Sequence, residues 1–165
     1  LAAPERVERL TLVATTPRFV QSPDWDCAMP VDSFHQFADA LAGDPNATLM
    51  RFLGLQVKGA EHAREALRLL HEEIGQRPEA STLGLEQGLD LLLVTDLRPR
   101  LAQLSCPSLW LFGSRDTLVP AGVSARLATL APGARSAVID GAGHAPFLSH
   151  PQASLELLCA TGMHA

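Results

Sequence analysis

Lysine is nearly absent from this sequence. Lys58 stands alone beside 12 arginines, and the 13 basic residues are outnumbered by 18 acidic ones, for a formal charge of −5. A chain of that balance repels a phosphate backbone, so no nucleic-acid partner is expected. Cysteine is scarce as well. Cys27, Cys106 and Cys159 are odd in number, far apart and without a Cys-x-x-Cys pair, which argues against a disulfide framework or a zinc ribbon. Apolar runs stop after a few positions, as at Leu91 to Val94, far short of the roughly 18 to 20 residues that span a bilayer, so no membrane partner is expected either. There is no internal repeat and no biased segment. The opening Leu1-Ala2-Ala3-Pro4 lacks an initiator Met and any basic stretch leading into an apolar one, so it carries no recognisable secretory signal and reads as a cut inside a larger protein.

What is present suits one globular domain: 165 residues, 47% hydrophobic and 19% charged. Leu10 to Thr16, after a turn at Pro4-Glu5-Arg6-Val7, is a short β-branched run that reads as a buried parallel strand. From Asp32 to Val94 the period changes. Phe34, Phe37, Ala38 and Leu41 fall at helical spacing, as do Ala63, Ala66, Leu67, Leu70 and Ile74. Asp44-Pro45 marks the start of a further helix carrying Leu49, Phe52 and Leu53, Gly75 stops a helix that begins at Ala60, and a fourth runs from Pro78 to Val94. Strand composition returns at Pro107 to Gly113 and Ser136 to Asp140, with helices at Val123 to Leu130 and Pro151 to Cys159. This alternation predicts an α/β fold: parallel strands with flanking helices, interrupted by a helical cap over the carboxyl edge of the sheet. The expected division is residues 1–24 as core strand and loop, 25–94 as the cap, and 95–165 as the remainder of the core.

In such sheets, reactive side chains sit in loops after the carboxyl ends of strands. Two loops qualify, Gly113-Ser114-Arg115-Asp116 and Gly141-Ala142-Gly143-His144. An acid after one strand and a histidine after the next can meet as a pair, the carboxylate holding the imidazole tautomer while the other ring nitrogen acts as a base. Asp116 and His144 are therefore the candidate catalytic residues.

The stretch Asp96-Leu97-Arg98, Cys106-Pro107, Gly113, Asp116, Val119-Pro120, Gly143-His144 and Pro151 resembles the C-terminal half of an α/β-hydrolase. Within that superfamily, Arg51 to Gln56, Gly88-Leu89 and His144 to Pro151 resemble the pimeloyl-[acyl-carrier protein] methyl ester esterase family. The resemblance implies a cytoplasmic serine carboxylesterase that removes a methyl group from a carrier-bound pimeloyl ester on the way to biotin, without cofactor or metal. It implies Asp116 and His144 as triad members, and Phe52, Leu53, Gly54, Leu55 and Gln56 as the lining of the acyl pocket. It also implies that cap arginines meet an acidic acyl carrier protein. Arg51, Arg64 and Arg68 are placed for that role, although Glu61, Glu65 and Glu72 offer Arg64 and Arg68 ordinary helical partners.

One part of the family pattern is missing. Such enzymes need a Gly-x-Ser-x-Gly elbow upstream of the acid and the histidine, and none occurs here. Gly122-Val123-Ser124-Ala125-Arg126 lacks the final glycine and lies between the other two members. The nucleophile and the oxyanion donors are expected in an N-terminal part of the same protein, and this chain alone is expected to be inactive. Other capped hydrolases, such as an enol-lactonase or a general short-chain esterase, share Asp116 and His144, and an inactive truncated product is the non-enzymatic alternative. Gly141-Ala142-Gly143 leads into Pro146-Phe147 and not into a nucleotide-binding helix. His62 and His71 face opposite sides of one helix, and His35 with Asp39 supplies too few ligands for a metal. Cys106 is expected as a small buried hydrophobe.

Overall fold

The computed structural model describes residues 3–58, 63–78 and 80–160. Among them, β1 (Leu10–Val13), β2 (Ser108–Gly113) and β3 (Ala134–Ile139) form one parallel sheet in the order β1-β2-β3. Leu10 pairs with Ser108 and Val13 with Leu111, while Ser108 pairs with Ala134 and Gly113 with Ile139. The central strand β2 is buried along its whole length, which is why its sequence is a continuous apolar run and not an alternating one. Trp110 and Phe112 are two residues apart and so share a face. They meet Val123 and Leu127 of α5 (Val123–Leu130) and the ring of Trp25 in the main core. Cutting Phe112 back to alanine here would cost about 3–5 kcal/mol.

Among the described residues, four α-helices lie between β1 and β2: α1 (Val31–Gly43), α2 (Pro45–Gln56), α3 (Ala63–Gly75) and α4 (Thr82–Val94). Asp44 separates the first two. Its carboxylate accepts from the Ala47 N–H at 2.9 Å while Pro45 occupies the first turn, where a missing N–H costs nothing. Ser81 caps α4 in the same way, its hydroxyl oxygen accepting from the Gly84 N–H at 3.1 Å. A second apolar cluster of Val20, Met29, Phe34 and Leu118, with Phe52, Leu55, Leu89 and Leu93 packed on it, joins α1, α2 and α4 to the loop after β2.

The two ends of the helical segment are clasped together. Arg18 and Asp96 form an isolated antiparallel bridge, and the Leu97 N–H donates to the Pro17 carbonyl at 2.8 Å. Arg98 grips the Asp96 carboxylate through Nε and Nη2, reaches Asp24 at 3.0 Å, and lies 5.2 Å from the centre of the Trp25 ring. Hydrogen bonding from Arg98 holds the Asp96 carboxyl down at about 2, and the same contact raises the Arg98 guanidinium.

The sequence reading and the structure differ at several boundaries. The first strand stops at Val13, short of Thr16, because Ala14 turns into the left-handed region at φ 47° and ends the pairing. At the sheet edge it is half-buried. Helix α4 starts at Thr82 and not at Pro78, since Ser81 supplies the cap. The start assigned at Ala60 for α3 lies outside the described residues. Strand β3 begins two residues earlier than expected, at Ala134. A short helix, α6 (Pro146–Ser149), precedes α7 (Pro151–Ala160). Cys106 is partly exposed in the approach to β2, before the strand dips into the core.

Candidate active site

The loop leaving β2 turns tightly enough for the Asp116 N–H to donate to the Gly113 carbonyl at 3.2 Å. Asp116 then folds over its own backbone. Its Oδ1 accepts from the Leu118 and Val119 N–H groups at 2.8 and 3.0 Å, the local bonding that aspartate favours at turns. This leaves Oδ2 free to face the loop after β3, where His144 Nδ1 lies 2.9 Å away. The Asp116 side chain is fully buried and that of His144 is 22% exposed, so the pair runs from the interior to an accessible ring edge.

Further contacts hold the two loops in register. The Ser114 N–H donates to the Ile139 carbonyl at 3.0 Å and the Arg115 N–H to that of Ala142 at 2.9 Å. The Ser114 hydroxyl donates to Asp140 Oδ1 at 3.0 Å and accepts from the Gly141 N–H at 2.8 Å. Gly141 adopts φ 77°, a conformation that glycine enters without steric cost. A Cβ on Gly143 would lie 2.9 Å from the Lys58 carbonyl oxygen, so the chain just beyond α2 lies against the histidine loop.

His144 opens on an apolar cavity of about 690 Å³. Its lining includes Ala14 to Pro17 and Leu118 from the loops, Phe34, Phe37 and Phe52 from α1 and α2, and Gly88 and Leu89 from α4. Among its lining residues His144 is the one ionisable side chain.

The structure thus brings Asp116 and His144 together and places Phe52 on the cavity. Leu53, Gly54, Leu55 and Gln56 do not line it. They continue α2, whose turn of about 100° per residue carries consecutive side chains away from any one surface. Leu53 is buried, and Leu55 packs on the cluster around Phe34. Arg51 is exposed and donates to Thr48 Oγ1 at 3.2 Å. Arg64 and Arg68 are exposed on α3, where Arg68 pairs with Glu72. The hydroxyl of Ser124 donates to the Ala121 carbonyl at 2.8 Å, in the first turn of α5. His35 packs edge-on against Phe34, His71 buries Nε2, and His62 lies outside the described residues. No cluster of three or more metal-ligating side chains occurs among the described residues. Two features went unread in the sequence: the loop-tying role of Ser114, which has no local signature, and the cavity wall built by Phe34 and Phe37, whose helical spacing is the same whether they fill a core or flank a void.

The parallel sheet and the carboxylate–imidazole pair in the loops after its strands fit an α/β-hydrolase, and the chain belongs to that family: the α/β-hydrolase fold model matches residues 1–151. It is 46% identical to proteins named pimeloyl-[acyl-carrier protein] methyl ester esterase from Xanthomonas campestris, over 95% of this chain and 62% of theirs, and from Stenotrophomonas maltophilia, over 88% and 56%. The chain therefore spans about three-fifths of the length of these curated relatives. Among solved structures it resembles an esterase from Exiguobacterium antarcticum, with TM-score 0.81 and 22% identity over 94% of this chain and 57% of that one. It also resembles an enol-lactonase from Burkholderia xenovorans, with TM-score 0.70 and 19% identity over 96% and 56%. At these identities the structural likeness concerns the fold. No helix among the described residues is long and apolar enough to cross a membrane.

Proposed function

We propose that the protein is a serine carboxylesterase that removes the methyl group from a pimeloyl group carried on acyl carrier protein, in the assembly of pimelate for biotin, with Asp116 and His144 as two members of its triad. The observation that carries this reading is the 2.9 Å contact between Asp116 Oδ2 and His144 Nδ1 at the edge of an apolar cavity. The names of the relatives supply the substrate. The third member is a serine in a part of the protein outside these 165 residues, since no Gly-x-Ser-x-Gly occurs within them.

In this scheme Asp116 accepts a hydrogen bond from the Nδ1–H of His144, which fixes that tautomer and leaves the Nε2 lone pair to act as the base. As the serine oxygen attacks the ester carbonyl, Nε2 takes its proton. When the tetrahedral species collapses, the imidazolium returns that proton to the departing methoxide, so methanol leaves and the acyl group stays on the serine. His144 then deprotonates the water that frees the pimeloyl carboxylate. The helical segment, residues 25–94, serves as the lid, and the apolar cavity beneath it accepts the acyl chain. Arg51, Arg64 and Arg68 form the dock for the acidic carrier in the cytoplasm.

Methanol release by the full-length protein, measured on carrier-linked pimeloyl methyl ester and on a simple methyl ester, tests the reading. A preference for the carrier-linked substrate, abolished by a serine-directed phosphonate, is the expected result. Turnover that survives the phosphonate overturns the mechanism, and equal turnover of both esters overturns the substrate. The 165-residue chain expressed alone should turn over neither.

A further inference from the structure

We propose that Gly88 sets the length of the acyl chain that the cavity admits, an inference that rests on the reading of the cavity as an acyl site. Helix α4 lines the cavity with Gly84, Leu85, Gly88, Leu89, Leu91 and Leu92. Gly88 lies in the middle of them, three or four residues from Gly84, Leu85, Leu91 and Leu92, so a side chain built on it would point into the void.

The backbone does not require glycine there. Gly88 takes no positive φ, and a glycine in mid-helix lowers helix stability relative to alanine. Nor does crowding require it, because a Cβ at Gly88 meets nothing within 4 Å. Gly43, Gly54, Gly75 and Gly133 are equally uncrowded, but of these glycines Gly88 alone lines the cavity, and three others have visible reasons. Gly113 lies under the carbonyl groups of the histidine loop, Gly141 has φ 77°, and a Cβ on Gly84 would come to 3.0 Å from the capping oxygen of Ser81. What the missing side chain at position 88 leaves is open volume in the cavity that Phe37 and Phe52, whose rings lie 5.9 Å apart, also line. An unbranched acyl chain entering from His144 passes between these rings and α4, and its far carbons occupy the space that a larger residue would fill. Among the described lining residues His144 is the one ionisable group, which suits a chain that is uncharged along this path.

The test uses the full-length protein and its Gly88→Ala and Gly88→Leu variants. Turnover of p-nitrophenyl butanoate and octanoate is measured, together with displacement of a bound apolar fluorophore by methyl butanoate and methyl octanoate. Gly88→Leu should lower kcat/KM for the octanoate at least tenfold while the butanoate stays within about threefold, the size expected when several methylenes lose their site. Gly88→Ala should raise Tm and shift the same ratio in the same direction by less, which keeps the inference testable should the leucine variant fail to fold. Equal losses on both lengths, or an unchanged ratio in both variants, overturn the inference. A wild type that turns over neither ester yet shows length-selective displacement, weakened in the variants, overturns the esterase reading while supporting the role of Gly88.

Discussion

Gly113 and Gly143 approach each other so closely that a Cβ on the first would come within 2.2 Å of the carbonyl oxygen of the second. The loop bearing the acid and the loop bearing the base are thus packed backbone on backbone, and the Asp116–His144 distance depends on that contact. Gly113→Ala is expected to force the loops apart, with a cost of about 1–3 kcal/mol from overpacking. Urea unfolding and kcat of the full-length variant check it. Wild-type values for both would mean that the loops give way without consequence.

Asp116→Asn should favour the wrong imidazole tautomer. In serine proteases the same change lowers kcat by about 10⁴-fold, and a loss of that order is expected here, as is one for His144→Ala. Retention of activity within about threefold, less than 1 kcal/mol of barrier, would remove both from the mechanism.

The proposed carrier dock at Arg64 and Arg68 can be tested apart from the chemistry. The double change to alanine should raise KM for a carrier-linked ester and flatten its dependence on salt, since exposed charges steer association and are screened within about 8 to 10 Å at physiological ionic strength. A small soluble ester should be unaffected. Because Arg68 already pairs with Glu72, an unchanged KM for the carrier would leave the two arginines as an ordinary solvated helix face.

Asp96 carries the acid sensitivity of the clasp. Its carboxyl sits at about 2 in the folded chain against an ordinary value of 3.8, so the stability it contributes is present above pH 4 and is lost as pH falls from there towards 2. The site is partly solvated, which limits the effect to roughly 1 kcal/mol. Denaturant midpoints between pH 5 and pH 2.5 should fall less steeply in Asp96→Asn than in the wild type. Parallel curves would place the acid sensitivity elsewhere.

The sequence was most legible where one physical demand dominated. Helix α5 occupies the expected Val123–Leu130, and its buried Val123 and Leu127 stand four residues apart on one face. The meeting of Asp116 with His144 followed from topology, since parallel neighbours deliver their C-terminal loops to the same edge. Reading was poorest where the outcome depended on a single backbone angle or on the phase of a helix. Thr15 and Thr16 have strand composition, yet the left-handed turn at Ala14 removes them from the sheet. Phe52 to Gln56 is contiguous in sequence, but the rotation of α2 leaves Phe52 alone of the five on the cavity. No local pattern announces either.

The clasp at Arg18, Asp96 and Arg98 bears on how such a protein diversifies. Since Pro17 and Leu97 are hydrogen-bonded to each other, the entropy of closing the long excursion between them is settled at its base, and added length there costs little more. Helices between the fastened points can be exchanged, extended or trimmed while the strands keep their register. The excursion is a cassette. Exchanging residues 31–94 with a segment that keeps the packing of Lys58 on the histidine loop would change the cavity walls and leave Asp116, His144 and the Trp25 core in place.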